Sequence, residues 1–500
     1  MAHNLDRHGH TTSSTALVVF ALLLLFLALV NFIRPTNGAS ESTSPQPDSS
    51  PSIVNPHYND DNIDYGIAVD KKKSPFFPLR AATSAEEGYL LIDQFDPPET
   101  CQGCHSKIYD QWKGSMHSNA WNDPIYLALM RAANKATEGM TDKLCIGCHT
   151  PIGLTTGESS PSGEKLSELS KNGVQCDFCH NISSVTGIGN ASFVLTPQKY
   201  GRLLKFGPFK DSNSPYHDTT YSDLHTKSDL CGSCHNATHP LNRVPLERTY
   251  DEWKDSPYPG EGIGCQECHM NPEPGFRKNP GKAATGGKER EHIYTHYFVG
   301  GNTMIPSLLG SDKHAELARD MLKSAAKMEI VSLQNMRPGA TATVILRVHN
   351  SGAGHKLPTG FPEGRQMWVD FKVTDDSGEQ LFRLGKIDEA GRLEEGTRNF
   401  NVELGDAAGN VIDVEVWKAT RILHDSRILP RGYVDERFDI PIPASVKGKL
   451  TITADLNYQS FSQHLVDHLL GKDAPRVPTE LMTSLSSQAE LAPSSVPGEK

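Results

Sequence analysis

The chain has 500 residues, of which 37% are hydrophobic and 7% aromatic, and its formal net charge at pH 7 is −11. This length allows two or three domains, but the low apolar content predicts a thin hydrophobic core. The acidic balance, with no basic run beyond residues 71–73, argues against nucleic acid as a partner.

The first predicted element is an apolar segment at residues 16–33. Its length of about 18 residues is short for a membrane-spanning helix and long for the core of a signal peptide. The only cleavage candidate follows residues 37–39, where Asn37 is not the small residue preferred there. We therefore predict a signal anchor over a cleaved signal peptide at residues 1–34, followed by a flexible Ser- and Pro-rich tether at residues 35–75. In either case the rest of the chain is exported.

The ten cysteines form five Cys-x-x-Cys-His motifs, and none is left over. This motif is typical of c-type haem attachment, in which two thiols bind the porphyrin and the histidine ligates the iron. Disulfide bonds or zinc sites would not require a histidine at the same offset five times. We therefore predict five covalently attached haem c groups in a mostly helical and loop domain at residues 76–327. The predicted attachment cysteines are Cys101, Cys104, Cys145, Cys148, Cys176, Cys179, Cys231, Cys234, Cys265 and Cys268, and the predicted iron ligands are His105, His149, His180, His235 and His269.

The other axial position of each iron distinguishes an electron carrier from a catalyst. Two imidazoles close the iron, whereas an open position can bind a small molecule. A histidine only a few residues from a motif cannot easily reach the opposite face of its own iron, so we expect distal ligands to come from elsewhere in the chain. The candidate distal ligands are His117, His217, His225, His239, His296 and His355.

The chain contains one internal repeat around these motifs. Residues 109–115 recur in similar form as residues 250–256. Such a recurrence predicts two similar helices that pack against similar haem edges. His117 corresponds to Tyr258, so only the first copy can supply a ligand at that position.

Beyond residue 327 the sequence alternates between apolar and polar residues. The alternation is clearest at residues 367–374 and 450–458, and further strands are predicted near residues 328–333, 341–350 and 411–422. We predict a β-sandwich without cysteine at residues 328–471 and a disordered tail at residues 472–500. A Gly- and Pro-rich loop at residues 352–360 presents His355, which could reach into the haem domain. The predicted fold class is thus α+β and multidomain, with an N-terminal membrane anchor helix, a multihaem domain and a C-terminal sandwich.

Several segments resemble one known family. Residues 112–120, 144–153, 230–239, 246–270 and 296–302 are similar to the multihaem cytochrome c family that includes the tetrahaem electron carrier serving hydroxylamine oxidoreductase. The resemblance covers about residues 95–310. It implies close-packed haem pairs, mostly bis-histidine ligation, haem attachment on the exported side of the membrane, and electron transfer. By position, His117 and His296 match the family's ligands best. The present chain departs from the tetrahaem carrier in having five motifs.

These observations predict an exported, membrane-tethered pentahaem cytochrome that exchanges electrons with redox proteins or a membrane quinol-oxidising complex. The alternative is an oxidoreductase that acts on a small nitrogen or sulfur compound at one open haem. Against this alternative, no motif has the lysine that replaces histidine in pentahaem nitrite reductases. A third possibility, compatible with the first, makes the sandwich a docking module.

Overall fold

The computed structural model describes residues 89–139, 141–158, 160, 163–199, 202–239, 241–271 and 278–493, and the two-residue strands at 53–54 and 82–83. The chain divides into residues 1–50 and 51–500, and all described residues belong to the second unit. The tether predicted at residues 35–75 lies outside the described residues except for Ile53 and Val54.

The N-terminal membrane anchor in the predicted fold class is not supported and is corrected here. None of the described helices is both long and apolar enough to cross a membrane. The longest, Pro98–Trp112, has 15 residues and so extends about 22 Å, less than the roughly 30 Å of a bilayer's hydrocarbon core. The predicted segment at residues 16–33 lies outside the described residues. Its apolar composition was the sole basis for the prediction, and a short apolar run is equally typical of other segments. The observed fold class is mixed α and β.

Short helices joined by loops form most of the region from residue 89 to residue 325, which we call the motif region. Seven of its ten described helices have eight residues or fewer, too short to be stable alone. The helices are α1 Pro98–Trp112, α2 Pro124–Ala136, α3 Asp142–His149, α4 Pro151–Thr155, α5 Cys176–Cys179, α6 Ser228–Gly232, α7 Thr249–Lys254, α8 Gln266–His269, α9 Met304–Leu308 and α10 Asp312–Ala325.

Small strands complete the motif region. The antiparallel pair of β3 and β4 is extended by β2, β6 pairs with β5 and β7, and β8 pairs with β9 in a hairpin, while β1 adds to a strand of the C-terminal region. These strands are β1 Ile53–Val54, β2 Ala82–Thr83, β3 Ile182–Val185, β4 Phe193–Leu195, β5 Gln198–Lys199, β6 Arg202–Gly207, β7 Asp218–Tyr221, β8 Gly281–Lys282 and β9 Glu289–Arg290.

Two antiparallel sheets form a β-sandwich after residue 325. One has the order β10-β11-β16 and the other β13-β12-β17-β18, while β14 pairs with β15 in a separate sheet. Their bounds are β10 Ala326–Gln334, β11 Thr341–Asn350, β12 Gln366–Asp375, β13 Gln380–Leu384, β14 Val402–Gly405, β15 Arg421–Asp425, β16 Tyr433–Pro441, β17 Lys449–Gln459 and β18 Glu480–Glu490, and helix α11 Gln463–Leu470 follows β17. The inward-facing residues of both sheets form one apolar cluster, in which Phe371 stacks on Phe438 with ring centres 3.9 Å apart.

Two segments differ from their predicted structure. Residues 472–500, expected to be disordered, include strand β18, which pairs with β17 along its length. Serine-rich composition concealed this strand, because its inward positions are few and include Met482 and Ala489, which are both buried. The strand predicted near residues 411–422 is observed at Arg421–Asp425 instead.

The motif region and the sandwich share an apolar cluster. Ile125 of α2 and Ile305 of α9 pack with Phe461, Leu465 and Val466, which lie in and just before α11. Helix α10 also continues directly into β10. The sandwich therefore packs directly against helices α2 and α9 of the motif region.

Candidate cofactor-binding site

All five motifs line a single cavity of about 1270 Å³. Small-molecule pockets usually measure roughly 300–1,000 Å³, so this space is larger than one ligand requires. The cavity is lined by every motif cysteine and every motif histidine, that is Cys101, Cys104, His105, Cys145, Cys148, His149, Cys176, Cys179, His180, Cys231, Cys234, His235, Cys265, Cys268 and His269.

Local helix geometry aims each motif into this cavity. Residues three and four apart lie on the same face of a helix, so a Cys-x-x-Cys-His turn presents two thiols and an imidazole together. The turn is closed by hydrogen bonds from the backbone N–H of His180, His235 and His269 to the carbonyl of the first cysteine, at 2.9, 2.9 and 3.0 Å. In α1, the backbone leaves helical geometry at His105.

Backbone carbonyls orient four of the five motif imidazoles. Nδ1 of His105 donates to Ala283 O at 2.8 Å, Nδ1 of His149 to Ala120 O at 2.9 Å, and Nδ1 of His180 to Phe206 O at 2.7 Å. Nδ1 of His269 donates to Val299 O. A proton held on Nδ1 leaves Nε2 free to bind a metal, which is the usual arrangement at metal-ligating histidines.

Burial keeps the imidazoles of His149, His180, His235 and His269 neutral. It lowers the pKa of His149 to about 4 and the pKa of His180 to about 3, and it also lowers the pKa of His235 and His269. Neutral imidazole is the form that ligates metals. The side chain of His235 is exposed, but it is exposed to the cavity that it lines.

The donor set fits haem c. Each motif offers two free thiols and one imidazole to the same apolar space. Haem would be held by the ten cysteine sulfurs and by Nε2 of the motif histidines. Because the thiols and imidazoles of all motifs meet in one cavity, the sites are neighbours and not separate pockets.

Three motif imidazoles face a second imidazole at a distance close to that of an axial pair. Two imidazoles on opposite faces of one iron have ring centres roughly 6 Å apart, because each metal–nitrogen bond is about 2 Å long. The ring-centre distance is 6.1 Å between His117 and His235, and 6.2 Å between His269 and His355. His180 has two neighbours, His296 at 6.4 Å and His225 at 5.4 Å.

Two of these four partner histidines share the hydrogen-bond pattern of the motif histidines, in which Nδ1 donates to a backbone carbonyl. Nδ1 donates to the carbonyl of Lys356 at 2.9 Å in His355, and to the carbonyl of Tyr294 at 3.2 Å in His296. His225 is reversed, since its Nε2 donates to Cys179 O at 3.0 Å. In His117, Nδ1 is buried without a hydrogen-bond partner.

Two of the six predicted distal ligands differ from the rest. His217 lines the cavity near the first motif and is half-buried, with its Nδ1 donating to Asp218 O at 3.0 Å. His239 does not line the cavity: its Nε2 donates to Trp417 O at 3.1 Å, and its Nδ1 accepts from Leu241 N at 3.4 Å. With both nitrogens engaged in hydrogen bonds, His239 is left out of the ligand pairs proposed below. Its position four residues after His235 could not reveal this contact with a distant loop.

The second motif has different surroundings. Tyr126 stacks flat on His149, with ring centres 3.7 Å apart and planes 4° apart. In the described part of the chain, His149 makes no ring contact with another histidine. Burial holds the Tyr126 pKa well above its usual value, so the phenol stays protonated.

The repeated segments form matching local structures. Tyr109 and Trp112 have ring centres 5.9 Å apart, and Tyr250 and Trp253 have ring centres 5.5 Å apart, at similar tilts. Each indole N–H donates to a backbone carbonyl, from Trp112 to Val174 at 2.8 Å and from Trp253 to Ile263 at 2.9 Å. All four residues line the cavity.

A buried ion pair that the sequence did not reveal fixes the loop carrying His355. Arg427 Nη1 lies 2.7 Å from Glu252 Oε1, and their side chains are only 5% and 6% exposed. The other oxygen of Glu252 accepts from the backbone N–H of Lys356 at 3.2 Å and from the hydroxyl of Thr359 at 3.0 Å. The Glu252 carboxylate of helix α7 thus binds both the His355 loop and Arg427 of the sandwich.

Comparisons with known proteins agree with this geometry. Residues 100–181 match the family described as cytochrome c554 and c-prime. The fold is similar to the crystal structure of a penta-heme cytochrome c552 from Thermochromatium tepidum, with a TM-score of 0.56 and 22% sequence identity, over 79% of this chain and 99% of that chain. No curated protein matches. The hydroxylamine oxidoreductase connection implied by the sequence resemblance is not shown by these matches. Together, the motifs, the cavity that they line and these similarities support the binding of haem c.

Proposed function

We propose that the chain carries five haem c groups, one at each motif, and transfers electrons between redox partners outside the cytoplasm through mostly bis-histidine haems. The observation that carries this proposal is the set of imidazole pairs at 6.1–6.4 Å on the wall of one cavity. The proposed pairs are His117 with His235 and His355 with His269. The partner of His180 is either His296 or His225. The partner of His105 is either His217 or whichever of His296 and His225 does not pair with His180.

The protein's contribution is to hold and orient the ligands. Bound haem would supply reversible one-electron chemistry at iron. Backbone carbonyls fix the imidazole orientation, burial excludes water, and the shared cavity brings the motifs close together. We expect the partners to be other redox proteins, including a quinol-oxidising complex.

The test compares His355→Ala with His239→Ala in the mature protein. Pyridine haemochrome analysis should give five haems per chain in both. Electron paramagnetic resonance should show one haem converted from low spin to high spin in His355→Ala, because Nε2 of His355 is removed. His239→Ala is the matched control and should keep the wild-type spectrum. Identical spectra for His355→Ala and wild type would contradict bis-histidine ligation at the fifth motif.

A second candidate function follows from the second motif. His149 stacks on Tyr126 and makes no ring contact with another histidine among the described residues, so an iron there would have an open position. An open iron would permit chemistry on a small nitrogen or sulfur compound. In that case the wild-type spectrum should contain one high-spin haem that changes when nitrite or hydroxylamine is added. Five low-spin haems with no such change would leave electron transfer as the only candidate.

A further inference from the structure

The cavity meets the protein surface mainly around the first motif. Eight residues that line it are exposed, and five of these lie in residues 98–113 and 202–221, namely Thr100, Cys104, Ser212, Tyr216 and Thr220. Of the other three, His235 faces the cavity interior. Cys104 is the one exposed cysteine among the ten. The first motif is therefore the site with the shortest path to a molecule in solution.

Three segments come together around this opening. Ala283 O accepts from His105, and the backbone N–H of Thr285 donates to Cys104 O at 2.8 Å, so the β8–β9 hairpin lies against the motif. Lys288 Nζ lies 2.7 Å from Asp211 Oδ2, which joins the hairpin to the loop between β6 and β7. We call residues 98–113, 202–221 and 278–293 together the first-motif face.

The charge of this face is opposite to that of the whole chain. Together with Asp96 and Asp177, which lie beside Tyr216 and Lys205, the three segments contain nine Lys and Arg residues against eight Asp and Glu residues, a net charge of +1. The whole chain has 49 Lys and Arg against 60 Asp and Glu, a net charge of −11. Lys107, Lys210 and Lys282 are all exposed, and of these only Lys282 lies near a carboxylate of the described residues, 3.8 Å from Glu289.

Exposed aromatic side chains lie among these charges. Tyr216 is 57% exposed and Tyr221 is 44% exposed, and the ammonium of Lys210 lies 5.0 Å from the ring centre of Tyr221. The guanidinium of Arg290 lies 4.3 Å from the ring centre of Phe209. Tyrosine and arginine are enriched in protein interfaces, where they supply contact area together with polar groups.

We propose that the first-motif face is the docking site of an acidic redox protein, which exchanges electrons with this chain at the first motif. This inference rests on the proposed electron-transfer function and adds the entry point and the charge of the partner. A basic surface on an acidic molecule steers an acidic partner to one orientation and repels it elsewhere.

The first experiment measures binding without electron flow. Oxidised plant-type [2Fe–2S] ferredoxin, a small acidic protein, is titrated into the oxidised mature cytochrome by calorimetry at low and at physiological salt. Combined Lys107→Glu, Lys210→Glu and Lys282→Glu substitutions should weaken binding at least about tenfold. The control combines Lys327→Glu, Lys386→Glu and Lys447→Glu, three exposed sandwich positions with the same change in charge, and should bind within about twofold of wild type.

The second experiment uses two small oxidants of opposite charge. The fully reduced protein is mixed with hexacyanoferrate(III) or hexaammineruthenium(III), and reoxidation is followed by stopped-flow absorbance. If the net charge of −11 governs the reaction, hexacyanoferrate(III) is repelled, and salt should speed its reaction by screening the repulsion. If hexacyanoferrate(III) reacts at the first-motif face, it is attracted, and salt should slow the reaction. The face variant should reverse this dependence, and the sandwich control should keep it.

These outcomes separate the inference from the proposed function. No binding to wild type, equal weakening in both variants, or an anion reaction that salt accelerates would overturn the docking site. Failure of both oxidants to reoxidise the haems would instead contradict electron transfer. Haem content and the absorption spectrum are checked for each variant, and Lys→Gln versions replace any Lys→Glu variant that does not mature.

Discussion

The motif region and the β-sandwich are stabilised in different ways. The sandwich has one apolar cluster of 25 buried residues, two of which, Leu322 and Ala325, come from α10. The separate clusters of the motif region contain eight and six buried residues around a large cavity. Short helices are marginal without tertiary packing. We infer that the sandwich folds on its own side chains and that the motif region depends on the groups that occupy its cavity.

The largest expected effect is the loss of the motif region's fold when haem is not attached. In chains made without haem attachment, trypsin should digest residues 89–325 rapidly, because their cavity has no apolar filling. The sandwich should persist as a protected fragment, identified by mass spectrometry. Equal protection of both regions, or equal loss, would remove the distinction between them.

The sandwich core can be perturbed separately. Phe371 is fully buried and stacks on Phe438, so Phe371→Ala should reduce the free energy of unfolding by about 3–5 kcal/mol. Denaturation followed by circular dichroism measures this change, and Leu481→Ala, at a 49% exposed position, is the control. Below the transition the haem absorption should be unchanged. A shifted spectrum would mean that the two regions are not independent.

The boundary between the two regions depends on Arg427. Arg427→Gln removes one partner of a buried ion pair and leaves Glu252 uncompensated, which should cost about 3 kcal/mol. Because Glu252 also binds the His355 loop, the haem of the fifth motif should change its redox potential or spin state. Arg347→Gln, whose partner Asp435 is on the exposed surface of the sandwich, is the control. An equal effect in both variants would argue against a role for Glu252 in holding the loop.

The smallest effect is expected within the motif region. Asp123 caps α2 by accepting from the backbone N–H of Ile125 at 2.8 Å and of Tyr126 at 3.2 Å. Asp123→Ala should reduce stability by about 1 kcal/mol and loosen the stacking of Tyr126 on His149. Asp123→Asn retains a capping oxygen and should have little effect. Thermal unfolding of the mature proteins measures the difference, and equal losses for both variants would exclude capping as the cause.

Local features of this molecule could be predicted from the sequence, and long-range ones could not. The motif spacing predicts how each pair of thiols and its imidazole face one space, because a single helical turn determines this geometry. Alternation predicted strands β11, β12 and β17 closely, since inward and outward residues differ in polarity there. Strand β18 could not be predicted from alternation, because few of its residues are buried.

The distal ligands of the irons show more clearly what could not be predicted from the sequence. Nothing near His239 in the sequence indicates that Trp417 binds it, and nothing near His117 indicates His235 as its neighbour. The carbonyls that orient the motif imidazoles belong to residues of unremarkable type, Ala120, Phe206, Ala283 and Val299. Backbone acceptors carry no sequence signal, so only the folded chain reveals them.

The walls of the cavity also suggest an order of biosynthesis. All five motifs precede residue 270, whereas His355, Arg365, Tyr458 and Phe461, which complete the wall, come much later in the chain. A nascent chain therefore exposes every attachment thiol before the last part of the wall exists. We expect the attachment machinery to act on this open intermediate, and a chain truncated at Lys327 should still acquire haem. The sandwich would then fold last and complete the cavity wall around haems that are already attached.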